Sequence, residues 1–260
     1  MEKLPRISII TPSYNQGQYI EQTIQSILSQ DYPDLEYLVV DGGSSDNTID
    51  ILKRYEDQLS WTSGKDRGQT HAINMGFQQT SGDVISFINS DDCLETGALH
   101  KVGKFFLNHP HAYWVTGKCR IVDRNDHEIR KIITVYKNFW LEFHDCQILK
   151  VINFISQPAT FWRRQVNIEI GDLDEKLVYT MDYDYWLRIS KRYELNFLNS
   201  YLARFRIHPQ SKSGLSFSGL FDAEYLTAKE HVSSQFYLFL HKIHSSLAKL
   251  VYMSLLRNLN

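Results

Sequence analysis

Two adjacent carboxylates, Asp91 and Asp92, follow the apolar run 84–88 through Asn89 and Ser90. Like charges at the end of a buried strand are costly unless a cation compensates them. A hard divalent ion, Mg²⁺ or Mn²⁺, takes such oxygen ligands and bridges to phosphates. The plainer reading is a solvated helix start, since Asp is favoured ahead of the helical pattern near Glu95. Asp41-Gly42-Gly43-Ser44 is a second cluster. Its glycines let backbone approach a ligand, and a helix start behind them favours negative charge. Asp41 can accept hydrogen bonds from a base or ribose, or it can belong to a tight capped turn. Thr11-Pro12-Ser13-Tyr14 and Lys65-Asp66-Arg67-Gly68 are two further polar clusters.

Strand and helix patterns alternate between these clusters. Residues 7–11 are a β-branched apolar run that predicts a buried strand. Residues 37–40 and 84–88 predict two more, and 59–63 a weaker one. Ile20, Ile24, Ile27 and Leu28 repeat at helical spacing. Ile49, Leu52 and Tyr55 do so behind Ser44 or Ser45, either of which can cap that helix. Residues 68–79 and 95–107 predict two further helices. Such alternation predicts an α/β fold, with a Rossmann-like, mostly parallel central sheet and helices on both faces. Ligands of such sheets bind at the carboxyl ends of the strands, where all four polar clusters fall. From His111 the alternation loosens. Residues 113–122 and 128–135 predict a strand pair, 139–148 a helix and 157–163 a short strand. A helix over 182–191, a strand over 195–205 and a helical zone from 220 complete the chain.

The chain has 260 residues, 43% of them hydrophobic and 22% charged, the balance of a globular protein rather than a disordered or rod-like one. A formal net charge of −2 excludes nucleic-acid binding driven by bulk charge. Three widely spaced cysteines, Cys93, Cys119 and Cys146, form no metal-binding spacing and are expected reduced. Neither a GxGxxG nor a P-loop motif occurs, which counts against dinucleotide dehydrogenases and P-loop NTPases. The start at Met1 has no secretory-leader pattern, and no run reaches the ~18 apolar residues of a spanning helix. A cytoplasmic protein is expected, able to lie on the inner face of the cell membrane.

Four ordered runs carry a resemblance. They are Ile7-Ser8-Ile9-Ile10-Thr11-Pro12-Ser13-Tyr14-Asn15, Val39-Val40-Asp41-Gly42-Gly43-Ser44-Ser45-Asp46-Asn47-Thr48, Lys65-Asp66-Arg67-Gly68 and Asn89-Ser90-Asp91-Asp92. Together they closely resemble glycosyltransferase family 2 with the GT-A fold, strongly over residues 7–107 and more weakly to 213. The resemblance implies an inverting transfer of a sugar from a nucleotide-sugar to an acceptor hydroxyl, with a divalent metal as cofactor. By position, Thr11, Pro12 and Tyr14 would line the nucleobase pocket. Asp41 would bind the base or ribose with Asp66 close by, Asp91 would contact the ribose, and Asp92 would ligate the metal. The family's Asp-x-Asp motif is altered at its first position, which is Asn89 or Ser90 by register.

Asp182 matches the family's base, which deprotonates the acceptor, while Met181 replaces the usual Glu. Burial beside Trp186 would raise the pKa of Asp182, and a helix N-terminus would lower it. A plain helix cap is the alternative. His208 matches a residue that reaches the metal or the diphosphate, and Lys212 or Arg206 could offset phosphate charge. Gln157 and Trp162 fall on the acceptor-side strand and would meet the acceptor or donor sugar. Trp114 and Trp140 are the other stacking candidates, with core packing expected for two of the three tryptophans. Asp184 and Arg188 are expected to form a surface ion pair.

The expected division is a GT-A domain over 1–218, with a nucleotide-sugar half (1–110) and an acceptor half (111–218), and a helical extension over 219–260. The partners implied are a nucleotide-sugar donor, a UDP-sugar first among them, and a glycan or lipid-linked acceptor in cell-surface polysaccharide or glycolipid assembly. A non-catalytic nucleotide-sugar binder and a sugar nucleotidyltransferase are the alternatives. The latter would need a basic glycine-rich loop after the first strand, which residues 11–17 lack. In the extension Phe236, Phe239, Leu240, Ile243, Leu247, Leu250 and Val251 share one helical face, opposite Lys242, Ser245, Ser246 and Lys249. Residues 231–260 contain no Asp or Glu. Such a basic amphipathic helix can lie on an anionic membrane, pack on the domain, or pair with a second copy in a homodimer.

Overall fold

The computed structural model describes residues 3–212 and 217–257. Strands β1 (Ile7–Ser13), β2 (Leu35–Asp41), β3 (Ser60–Ser63) and β4 (Val84–Phe87) pair in parallel, as the alternating pattern predicts. The second half of the sheet is mixed. It contains β5 (Cys93–Leu94), β6 (Trp114–Val122), β7 (Thr160–Arg163) and β8 (Asn196–Arg206). β7 is antiparallel to both β4 and β6, β8 is parallel to β6, and β5 is antiparallel to β8. Among the described residues these eight strands form one sheet in the order β3-β2-β1-β4-β7-β6-β8-β5.

Period-two alternation explains why β1 and β2 are apolar on both sides. Ile7, Ile9, Tyr37 and Val39 face one core with helices α1 (Ile20–Leu28), α2 (Thr48–Lys53) and α4 (Ala98–Asn108). Ile10, Leu38 and Val40 face the other with α3 (Gln69–Gln79). Burying each such side chain contributes about 1.5–3 kcal/mol. α3 lies close on β1 because residue 76 is Gly: a Cβ there would stand 2.4 Å from Ile10 Cγ2.

The second core also takes in α5 (Lys131–Phe143), α6 (Cys146–Leu149), α7 (Arg164–Ile170) and α8 (Met181–Ser190). Two last helices, α9 (Phe217–His231) and α10 (Gln235–Arg257), pack on it through Ala228, Val232 and Leu238. No helix among the described residues is long and apolar enough to cross a membrane. Cys93 and Cys119 are buried, and all three cysteines are free.

Several local expectations fail for identifiable reasons. Residues 128–135 are not the second strand of a pair. Glu128 makes one isolated bridge to Val122, and the chain turns helical at Lys131. The β-branched run Ile132-Ile133-Thr134-Val135 reads as a strand by propensity, but burial of Ile133, Thr134, Asn138 and Leu141 along one helical side prevails. The expected helix over 139–148 is therefore the end of α5 and, after a break at His144, the short α6 capped by Asp145. Neither Ser44 nor Ser45 caps α2, which begins at Thr48 with the Asp46 carboxylate accepting its N–H at 3.0 Å. Residue 213, where the sequence likeness fades, lies outside the described residues.

Candidate active site

The carboxyl ends of β1, β2 and β4 gather the polar clusters on one rim. Asp41 ends β2, is buried, and is consumed by its own loop. One of its oxygens accepts from Gly43 N (3.0 Å), Ser44 N (2.8 Å) and Ser63 Oγ (2.7 Å), and the other from the Ser44 hydroxyl. Asp41 thus shapes the 41–44 loop. Asp66 stands against this loop: a Cβ on Gly42 would lie 2.9 Å from Asp66 Oδ2, while Asp66 Oδ1 accepts Gly68 N at 2.7 Å. Tyr14 is 63% exposed on the rim.

The adjacent carboxylates behave oppositely. Asp92 is 0% exposed. Its Oδ1 accepts the Arg206 backbone N–H at 2.9 Å and its Oδ2 accepts Asn89 Nδ2 at 3.1 Å. Burial and the neighbouring Asp91 charge push its pKa well above the usual carboxylate range. The expectation that Asp92 faces a metal is therefore corrected: both its oxygens are taken inside the protein. Asp91 keeps an accessible edge, and its Oδ2 stands 3.1 Å from His208 Nε2. The residue set against His208 is Asp91. Asn89 also gains a reason. Its amide donates to Asp92 and its Oδ1 accepts from Gln69 Nε2 at 2.6 Å, so an Asp at 89 would repel a buried carboxyl.

Arg206 holds the Asp91–Asp92 turn in place. It is 1% exposed, so it is not free to meet a phosphate as expected. Its guanidinium donates to the carbonyls of Asp91 (2.8 Å) and Asp123 (3.1 Å), to Gln22 Oε1 (2.7 Å) and to Asp126 Oδ1 (2.9 Å). His208 packs on the Tyr19 ring with centroids 4.4 Å apart, and its buried Nδ1 meets no partner among the described residues. A carboxylate oxygen and an imidazole nitrogen 3.1 Å apart suit two neighbouring ligands of one octahedral ion, which stand about 3 Å apart. Among the described residues no group of three or more His, Cys, Asp or Glu could hold a metal, so this pair would be only part of an ion's ligand set.

Asp182 opens α8, its Oδ1 accepting the Tyr183 N–H at 2.8 Å. Burial raises its pKa, while Lys137 and Lys212 act to lower it. Lys137 comes from α5 and donates to the Ile155 carbonyl at 3.1 Å. Lys212 reaches Gln69 Oε1 (2.7 Å) and the Val178 carbonyl (2.9 Å). Glu224, from α9, accepts from Asn153 Nδ2 at 3.0 Å, and burial pushes its pKa up to about 7. Lys137 and Glu224 both feel Asp182 electrostatically. Neither carries a motif, so the sequence offered no signal for them. Met181 faces inward, with the Thr70 hydroxyl 2.8 Å from its Sδ.

Other expected site residues belong to the interior. Thr11 is buried with its hydroxyl 3.2 Å from Tyr37 Oη, and Pro12 is buried in β1, so neither side chain lines an open nucleobase pocket. Trp162 is 0% exposed, its indole N–H donating to Asn167 Oδ1 at 2.6 Å, and Trp114 is equally buried. Trp162 is a core residue and not a sugar platform. Gln157 is buried, its amide donating to the Phe87 carbonyl at the end of β4. Asp184 and Arg188 pair at 2.8 Å but not on the surface: Asp184 is 5% exposed and also meets His231 Nε2 at 2.6 Å.

Comparison with known proteins agrees with this frame. A family model described as Glycosyl transferase family 2 matches residues 8–171. An uncharacterized glycosyltransferase of Rickettsia typhi is 26% identical over 226 residues, covering 85% of this chain and 70% of the relative. The Bacillus subtilis protein TuaG, a glycosyltransferase named for teichuronic acid biosynthesis, is 36% identical over 117 residues, 44% of this chain and 46% of its own length. Among solved structures, Staphylococcus aureus TarS 1–349 in complex with UDP-GlcNAc aligns with a TM-score of 0.69 at 19% identity, over 88% of this chain and 67% of that one. The mannosyltransferase PcManGT of Pyrobaculum calidifontis, in complex with GDP-Man and Mn²⁺, aligns with a TM-score of 0.70 at 18% identity, over 94% and 69%. The longer TarS chain is spanned to 41%.

Proposed function

We propose that this chain, which belongs to glycosyltransferase family 2 and is an enzyme of that class, inverts the anomeric centre of a nucleotide-sugar as it transfers the sugar to an acceptor hydroxyl. The observation that carries the reading is the Asp91–His208 pair beside the end of β4, with the raised-pKa carboxyl of Asp182 available as base. The acceptor O–H bond gives its proton to Asp182, and the oxygen bonds to the anomeric carbon. The bond from that carbon to the diphosphate breaks, and its electron pair leaves with the nucleoside diphosphate. Asp91 and His208 would hold a divalent ion, which offsets charge on the departing diphosphate. TarS with UDP-GlcNAc and PcManGT with GDP-Man and Mn²⁺ support a nucleoside-diphosphate donor and this metal class. Asp66 and Tyr14 are read as the contacts to base and ribose, with Asp41 shaping the loop beside them. The acceptor is read as a glycan or lipid-linked hydroxyl in surface-polysaccharide assembly, in line with the name of TuaG. The catalytic domain is read as spanning 1–218, with 219–260 as its helical extension.

The test is a panel of UDP- and GDP-sugars, scored by nucleoside-diphosphate release with Mn²⁺, with Mg²⁺ and with chelator. Metal-dependent release from one donor, lost in Asp91→Asn, is the expected result. Equal release in chelator would remove the metal assignment, and binding without turnover of any donor would favour a non-catalytic binder.

A further inference from the structure

The outward face of α5 is apolar. Ile132, Val135, Phe139 and Phe143 are between 52% and 67% exposed, while Ile133, Thr134, Asn138 and Leu141 line its buried side. α10 repeats the arrangement. Phe239, Ile243, Leu247 and Leu250 are between 43% and 63% exposed, opposite buried Leu238, His241 and Ser245. The stripes adjoin, because Tyr136 of α5 stacks on His244 of α10 with ring centroids 6.0 Å apart and planes 9° from parallel. The two helices thus present adjoining exposed apolar stripes, and such exposed apolar patches mark interaction sites.

Charge selects the partner. α10 carries Lys242, Lys249 and Arg257 and no acid. Lys249 pairs with Asp222 of α9, while Lys242 stands exposed beside the stripe and Lys131 opens α5. A two-fold contact through α10 would set cations against cations with no acid on the helix to pair them. On α5 the exposed Glu142 stands 4.0 Å from Lys118 and offsets Lys131, so the net positive charge lies along α10. An anionic lipid surface meets both the apolar stripes and that cationic flank of α10.

We propose that α5 and α10 form a two-helix platform that lies in the headgroup region of an anionic bilayer. Burial of the two stripes supplies the adhesion and the lysines supply the charge preference. The inner side of α5 bears Lys137, which belongs to the Asp182 side of the site, so the platform brings that side towards the lipid. This last step rests on the acceptor reading above, whereas the lipid contact itself does not.

The test is flotation of the full chain with phosphatidylcholine vesicles with and without phosphatidylglycerol. The wild type is expected to rise with the anionic vesicles, and less so in high salt. Val135→Glu/Phe139→Glu on α5 and Ile243→Glu/Leu247→Glu on α10 should each weaken binding about tenfold or more. Lys242→Glu should lower binding with no change in thermal melting. Donor hydrolysis in solution should be equal in all of these proteins, so a failure of the catalytic reading shows in hydrolysis and a failure of the platform in flotation. A wild type that does not float would overturn the proposal. So would binding unchanged by the α5 pair, or a light-scattering dimer that the same substitutions convert to monomer.

Discussion

The Asp91 carboxylate and the His208 imidazole meet at 3.1 Å, although 116 residues lie between them in the chain. Asp92, one residue on, is turned inward and bonded to Arg206 and Asn89. The two neighbouring carboxylates should therefore fail in different ways. Asp91→Asn should lower metal affinity at least about 10–100-fold while the melting temperature hardly changes. Asp92→Asn should set an amide donor against another donor and cost about 1–3 kcal/mol of stability. Manganese titration and thermal melting on both variants check this. A stable Asp92→Asn with lost metal affinity would reverse the assignment.

Asp182→Asn should reduce turnover by about 10²–10⁴ without weakening nucleoside-diphosphate binding. The pH profile of kcat/KM carries the sign. A base must be ionised, and burial raises the Asp182 pKa, so activity should fall on the acid side at a pH above the ordinary carboxylate value near 4. Lys212 acts to lower that pKa, so Lys212→Gln should move the acid limb to higher pH.

Asp184 is buried between Arg188 and His231, and so ties α8 to α9. Its pKa is lowered by those partners against the cost of burial. Its contribution to stability is present above its unfolded pKa and is lost as pH falls through the lower folded one. Asp184→Ala should cost about 3–5 kcal/mol near neutral pH, because it leaves a half-buried Arg188 without its carboxylate. Urea unfolding at pH 7 measures the cost, and a loss below about 1 kcal/mol would place the pair among ordinary surface bridges.

Glu224 has the opposite sign. Its folded pKa of about 7 lies above the unfolded value, so the native state holds the proton more tightly. That stability is fully present below the unfolded value near 4.3 and is lost as pH rises through 7. Glu224→Gln should flatten the fall, melting a few degrees above the wild type at pH 8 and level with it at pH 4. Scanning calorimetry at the two pH values checks it.

The parallel half of the sheet was legible because β1, β2 and β4 are buried on both faces and read as continuous apolar runs. The rim clusters were legible because polar residues at strand ends interrupt those runs. Roles within a cluster were not. Asp91 and Asp92 are indistinguishable as letters, and only the arrival of Arg206 and His208 from β8 and the loop after it decides which one turns inward. Thr11 and Trp162 fit a site by position, yet Tyr37 and Asn167 claim their polar atoms inside the fold. Residues 131–135 misled because their strand propensity was overruled by a helix with one side on the core and the other outward.

β5 has only two residues, and its partner β8 begins about a hundred residues later. A ribosome that has released the first half of this chain has therefore released an unfinished centre. The Asp91–Asp92 turn lacks its guanidinium until residue 206 emerges and its imidazole until residue 208. Closing so long a loop is slow, so the centre is among the last parts to be completed. A nascent or truncated chain would keep much of the parallel sheet while lacking the groups that make Asp91 different from Asp92.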